Sequence, residues 1–170
     1  MKTTLKLVLA AAIFAFSSNV SAQELKLAHI DMQELIMSMP EYEEAMAALQ
    51  KVGEDLEQEL ELMQVELNRN FDDFQRNQES LSDLVRQTRI EAIQRLQERI
   101  QIFQQQAQES YQMEWQRLMQ PVQEKAHNAV EAVAEAQGIT HVFNSQALLF
   151  TARNTIDLLP AVRQHLGIRN

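Results

Sequence analysis

The chain has no cysteine, three glycines, three prolines and one tryptophan in 170 residues. Without cysteine no disulfide can staple an exported fold, so stability must come from packing or from association of copies. So few glycines leave no room for a glycine-rich phosphate loop. Basic charge is also scarce, with 15 Lys and Arg against 24 Asp and Glu and a net charge of −9. A nucleic-acid partner is therefore not expected, because phosphate binding needs a basic footprint. Attraction to anionic lipid is disfavoured for the same reason. Long apolar runs are missing too. Leu7 to Phe16 is ten residues, too short to span a bilayer, and no later run reaches spanning length.

The N-terminus reads as a cleaved export signal over residues 1–22. Lys2 and Lys6 supply the positive start, Leu7 to Phe16 the apolar segment, and Val20-Ser21-Ala22 the small-residue cleavage site. The rival reading is an uncleaved membrane anchor; the short apolar run and the small-residue end argue against it. No cysteine follows the run, so a lipid-modified N-terminal cysteine is excluded. Loss of the first 22 of 170 residues leaves 148, and loss of Lys2 and Lys6 takes the charge from −9 to −11. That length suits one domain.

Between Pro40 and Pro121 there is no proline, and Gly53 is the only glycine. The stretch reads as two long helices with a turn between Asn77 and Asp83. One continuous helix is the alternative. The ascending helix carries Tyr42, Met46, Leu49, Gly53, Leu56, Leu60, Met63, Leu67, Phe71 and Phe74. Nine steps cover 32 residues, a period near 3.56 and close to a heptad seam. Gly53 leaves a knob out of that seam, and marks either a soft point or a close helix approach. The descending helix carries Ile93, Leu96, Ile100, Phe103, Ala107, Tyr111, Trp115, Leu118, Val122, Ala126, Val130 and Val133. Eleven steps cover 40 residues, a period near 3.64, so little supercoiling is expected. Ser80 or Ser82 can cap this helix. Pro121 is expected to kink it where the pair meets the rest of the chain.

The flanking segments predict a small body. Leu25 to Ile30 suits a buried strand. Asp31 with Glu34 forms a capping box for a short helix from Met32 to Ser38, and Ser38 with Glu41 repeats the spacing ahead of the long helix. Gly138 should stop the descending helix, with Ile139 in a Schellman contact. Thr140 to Phe143 and Ala147 to Thr151 read as two strands joined by Asn144-Ser145-Gln146. Asp157 should cap a last helix with Pro160 in its first turn and Gly167 at its end. The expected class is mainly α with a small β body (α+β). Residues 23–40 and 121–170 make the body, and residues 41–120 a coiled-coil hairpin arm inserted in it, with its tip near 77–83. A body of that size buries too little surface to be comfortable alone, which argues for an oligomer.

Charge divides the arm. Residues 41–80 hold twelve acids and three bases, whereas residues 83–125 hold six of each. Arg86, Arg89, Arg95 and Arg99 could pair with Glu66, Asp72 and Asp73 and fix the antiparallel register; a merely solvated face is the plainer alternative. Gln101 to Gln112 is amide-rich, suited to contacting exposed backbone without choosing among partners. Met113 and Met119 add adaptable apolar surface, although seam and core are the simpler roles. No arm residue stands out as client-facing.

Catalysis is not expected, nor any cofactor. His29, His127, His141 and His165 stand apart. Glu124 and His127 match the Glu-x-x-His spacing of di-iron bundles, but those need two such motifs and two further glutamates. No metal site is assigned.

In order, the signal segment, Lys26-Leu27-Ala28-His29-Ile30-Asp31, Met39-Pro40-Glu41-Tyr42, the long charged hairpin and Gly138-Ile139-Thr140-His141-Val142-Phe143-Asn144 resemble the Skp (OmpH-like) family of periplasmic chaperones of Gram-negative bacteria. The resemblance covers roughly residues 24–168. It implies a periplasmic homotrimer with a β-barrel body built from three subunits. Three helical arms would enclose unfolded outer-membrane β-barrel proteins without ATP. Leu27, Ile30, Val142, Phe143, Leu149 and Phe150 are then the candidate residues of the oligomerisation body. The best-known members have basic arms, so their lipopolysaccharide-binding residues carry over to no position here. A coiled-coil scaffold that binds one folded envelope partner is the other functional reading.

Overall fold

In a computed structural model, the structure describes residues 25–168. The signal segment assigned to residues 1–22 lies outside them. Strand β1 (Leu27–Ile30) leads through helix α1 (Met32–Met37) to the long helix α2 (Pro40–Asn77). A 3-10 turn (Gln78–Ser80) reverses the chain into helix α3 (Asp83–Ala136). Strand β2 (His141–Asn144), a second 3-10 turn (Ser145–Ala147), strand β3 (Ile156–Asp157) and helix α4 (Leu159–His165) follow. The chain is mostly helical, with a three-stranded sheet in the order β2-β1-β3. Both outer strands run parallel to β1, with Leu27 opposite His141, Ile30 opposite Asn144, and Ala28 opposite Ile156. The strands thus come from both ends of the chain, and all of α1, α2 and α3 lie between β1 and β2.

Local chemistry explains most boundaries. Asp31 accepts the Glu34 amide at 3.0 Å and starts α1. Pro40 occupies the first turn of α2, where its missing N–H costs nothing. Gly138, at φ +64°, ends α3 in a Schellman motif. Its amide donates to the Glu135 carbonyl at 3.0 Å, and that of Ile139 to Ala134 at 2.9 Å. Gly167, at φ +72°, ends α4 in the same way, with Ile168 donating to Arg163 at 2.9 Å. Pro121 lies inside α3 and deprives the Arg117 carbonyl of one bond, yet the helix continues to Ala136.

Several expectations are corrected. Ala147 to Thr151 is not a strand. Asn144 accepts the Gln146 amide at 3.2 Å and bends the chain into a 3-10 turn, and Ile156–Asp157 takes the second edge of β1 instead. Leu148 to Thr151 therefore has no partner strand among the described residues. Ser38 does not cap α2: the cap is Met39, and the Ser38 hydroxyl donates to the Leu35 carbonyl at 2.7 Å. Ser82 stands at the N-cap of α3 without a side-chain cap bond. Asp157 accepts the Leu159 amide at 3.0 Å from one residue before the cap, Leu158.

The core gathers β1, α1, α4 and both long helices near Pro40 and Pro121. Ala28, Ile30, Leu35, Met39, Leu158 and Val162 are nearly inaccessible. Met119, Val122, Ala126, Ala129, Val130, Val133 and Ala134 form the α3 wall of this core. Every buried residue among those described is apolar. Along the pair, Met63, Leu96 and Ile100 make a second, separate cluster with Leu60, Leu67 and Phe103 around it.

Two variants test these assignments. Gly138→Ala meets no neighbouring atom, so its cost is the left-handed backbone alone, about 1–2 kcal/mol in urea unfolding. Leu35→Ala empties a fully buried site and should cost about 2–5 kcal/mol. A third concerns pH. The Glu41 carboxyl is held below its ordinary range, first by the hydrogen bond from Lys125. A lowered folded-state pKa adds stability that is complete above the ordinary glutamate value and lost as pH falls through the lowered one. The stability gap between the wild type and Glu41→Gln should therefore be flat near neutrality and shrink on acidification through the carboxylate range. The pair is exposed, so the gap is small, about 0–1 kcal/mol; urea unfolding across pH reads it.

Candidate functional site

Among the described residues there is no group of three or more His, Asp or Glu side chains placed to hold a metal. His127 is exposed on α3, His29 lies in the sheet, and His141 meets Phe143 edge-on with ring centroids 6.4 Å apart. No described helix is long and apolar enough to cross a membrane. What the molecule offers is surface.

The first surface lies at the sheet. β2 pairs on one side with β1, and its other edge carries no strand among the described residues. An apolar groove of about 460 Å³ runs beside it, lined by Ile30, Met32, Ile36, Val130, Val142 and Phe143. Of the residues expected in the oligomerisation body, Ile30 is buried in its own chain and Val142 is half-buried. Leu27 and Phe143 are exposed at 40% and 44%, while Leu149 and Phe150 stand out at 107% and 82%. Ile156, opposite Ala28 on the other edge strand, is also exposed, at 38%; its two-residue strand is too short for a sequence pattern to reveal. Beside this surface, Gln146 reaches back to Asp31 and Gln33, at 3.3 and 3.0 Å. The Glu34 amide bond, followed by that of Gln146, lowers the pKa of Asp31. Arg163 donates to Glu34 at 3.1 Å. These polar contacts tie both ends of the chain together.

The second surface is the pair α2–α3. Lys125 bonds Glu41, Tyr111 lies 3.6 Å from where a Cβ on residue 53 would stand, and Arg99 meets Glu66 at 3.5 Å. The two helices are therefore antiparallel neighbours along their length. Of the expected pairs across the helices, Arg99–Glu66 forms. Arg86 and Arg95 pair within their own helix, with Asp83 and Glu91. Asp72 and Asp73 join no ion pair among the described residues.

Arg86 has a role that charge reasoning missed. Its guanidinium donates to the carbonyls of Gln78 and Leu81, both at 3.3 Å, and so closes the turn. The available signal was position: Arg86 lies in the first turn of α3, within side-chain reach of the carbonyls at the end of α2 that have no helical partner.

The seam also departs from the sequence pattern. Ala45 is buried where Met46 was expected, and Phe71 is exposed. Ala45 belongs to the body core, so α2 has rotated toward α1 there and away from a pure two-helix seam. Tyr111 and Trp115, both expected on the seam, are exposed at 39% and 42%.

Comparison with known proteins places this architecture. The model of the family described as outer membrane protein (OmpH-like) matches residues 26–166. No curated protein matches the chain. A crystal structure of a candidate outer membrane chaperone (OmpH-like) from Caulobacter crescentus CB15 superposes with a TM-score of 0.74. It covers 82% of each chain at 14% identity, and so bears on the fold. The match over the body strands and both long helices shows that the chain belongs to the OmpH-like outer membrane protein family.

Proposed function

We propose that this protein is an ATP-independent periplasmic holdase. In this reading it acts without catalytic machinery and keeps unfolded outer-membrane β-barrel proteins from aggregating. Family membership and the chaperone description of the similar structure support that role. The observation that carries it is the helix pair. α2 has 38 residues and extends about 57 Å at the usual rise. Its surface mixes amides, charges and isolated apolar side chains such as Leu62, Val65, Ile102 and Met113. Many weak contacts over such a length hold a chain without selecting one sequence, and high effective concentration stands in for strong single contacts.

In this proposal residues 41–120 are the arm, while residues 23–40 and 121–170 are the body of a homotrimer. Leu27, Phe143, Leu149 and Phe150 are the exposed apolar surface that neighbouring copies cover, and Ile30 and Val142 support it from beneath. Residues 1–22 direct export and are removed.

A denatured β-barrel protein diluted into buffer should stay soluble at several-fold molar excess of this protein. Phe150→Asp should weaken that protection, because a charge at the covered surface opposes association of copies. Light scattering of the client reads both. Unchanged aggregation with the wild type defeats the holdase reading, and a pull-down that returns one folded protein favours a scaffold instead.

A further inference from the structure

The seam of the helix pair is interrupted. On α3, Ile100 and Met119 are buried, and no residue between them is. On α2, Leu49 and Met63 are buried, with Gly53, Leu56 and Leu60 half-buried between them. Beside Gly53, where the Tyr111 ring packs 3.6 Å from the position a Cβ would take, an open groove of about 490 Å³ remains in this gap. Leu49, Gly53 and Leu56 floor it, Tyr111 forms an aromatic wall, and Glu54 and Glu57 stand on the rim.

We propose that this groove receives a lysine or arginine side chain from an extended, basic segment of an unfolded client. The inference rests on the holdase reading and names the client chemistry it prefers. The shape suits such a side chain: its aliphatic stem lies along Leu49 and Leu56, its cation meets the Tyr111 ring, and the rim carboxylates receive its charge. Those carboxylates are free to do so. Glu54 accepts only from Gln50 of its own helix, at 2.8 Å, and neither Glu54 nor Glu57 forms an ion pair among the described residues.

The field around the groove has the matching sign. From Glu43 to Glu61, α2 carries seven acids and one base, Lys51. The facing stretch of α3, residues 104–120, carries Glu109, Glu114 and Arg117, and Arg117 is bonded back to Glu114. Nearer the turn the balance differs, with six arginines and six acids over residues 67–99. The uncompensated negative charge is thus concentrated where the seam opens, and an acidic segment would be repelled there.

The test compares two labelled unstructured peptides by fluorescence anisotropy on the full protein. One alternates Lys or Arg with apolar residues; in the other each cation becomes Gln. The basic peptide should bind about tenfold more tightly, with an advantage that falls as salt rises. The double variant Glu54→Gln and Glu57→Gln should reduce that affinity about three- to tenfold. Gly53→Leu should reduce it similarly by filling the groove, while circular dichroism shows helix content unchanged or raised, because leucine favours helix over glycine. Asp72→Asn with Asp73→Asn removes the same charge near the turn and should leave affinity within about twofold of the wild type. Equal binding of the two peptides overturns the inference. So does an unchanged affinity in the groove variants, or an equal loss in the distant pair. Aggregation suppression measured alongside separates the two ideas: if it persists without a basic preference, the holdase reading stands and the groove assignment falls.

Discussion

From Met119 to Ala134, α3 forms the wall against which β1, α1 and α4 pack. Together with Met39 and Ala45 at the start of α2, this contact joins a small three-stranded body to a long helix pair. Ala126 and Ala129 keep the wall low, and α1 and α4 approach it closely. Because α3 continues without a break from this wall to Asp83, the body sets the direction in which the pair leaves it. No polar side chain is buried in this core. Its specificity comes from shape, and from the Schellman stop at Gly138 that turns the chain back into β2.

Among the described residues the body leaves a strand edge and large apolar side chains uncovered. Its sheet has a central strand of four residues, a partner of equal length with an open edge, and a third strand of two. Leu149 and Phe150 project from the unpaired segment between β2 and β3. An exposed edge flanked by large apolar side chains is a site at which another chain adds. In the proposed assembly, burial of those side chains by neighbouring copies would supply what a core of this size lacks. Along the pair, by contrast, apolar contacts near Met63, Leu96 and Ile100 set the register. The ion pairs are exposed and worth little. The interrupted seam around Gly53 is then the place where the pair has surface to spare.

The sequence disclosed those features whose causes are local. Asp31, Pro40, Gly138 and Gly167 mark helix ends because cap geometry depends on a few neighbouring residues. The heptad-like stripe from Leu49 to Leu67 reveals the facing side of α2 for the same reason. Features decided by distant partners were not legible. Ala147 to Thr151 has the composition of a strand, but pairing depends on which segment reaches β1 first in space, and Ile156–Asp157 takes that edge. Met46 fits the stripe, yet near the body α2 serves two neighbours and turns Ala45 inward. Tyr111 and Trp115 fall on the seam by count, and Tyr111 packs on Gly53, but a glycine has no side chain to cover the ring and both stay exposed. Arg86 looked like a partner for facing acids, whereas the unsatisfied turn carbonyls were nearer.

Association of copies through the open edge of the body is the point on which the functional reading turns. Sedimentation equilibrium of residues 23–170 at micromolar concentration tests it directly. The proposed homotrimer predicts a mass of three chains, reduced toward one chain by Phe150→Asp. A wild-type protein that sediments as a folded monomer would contradict it.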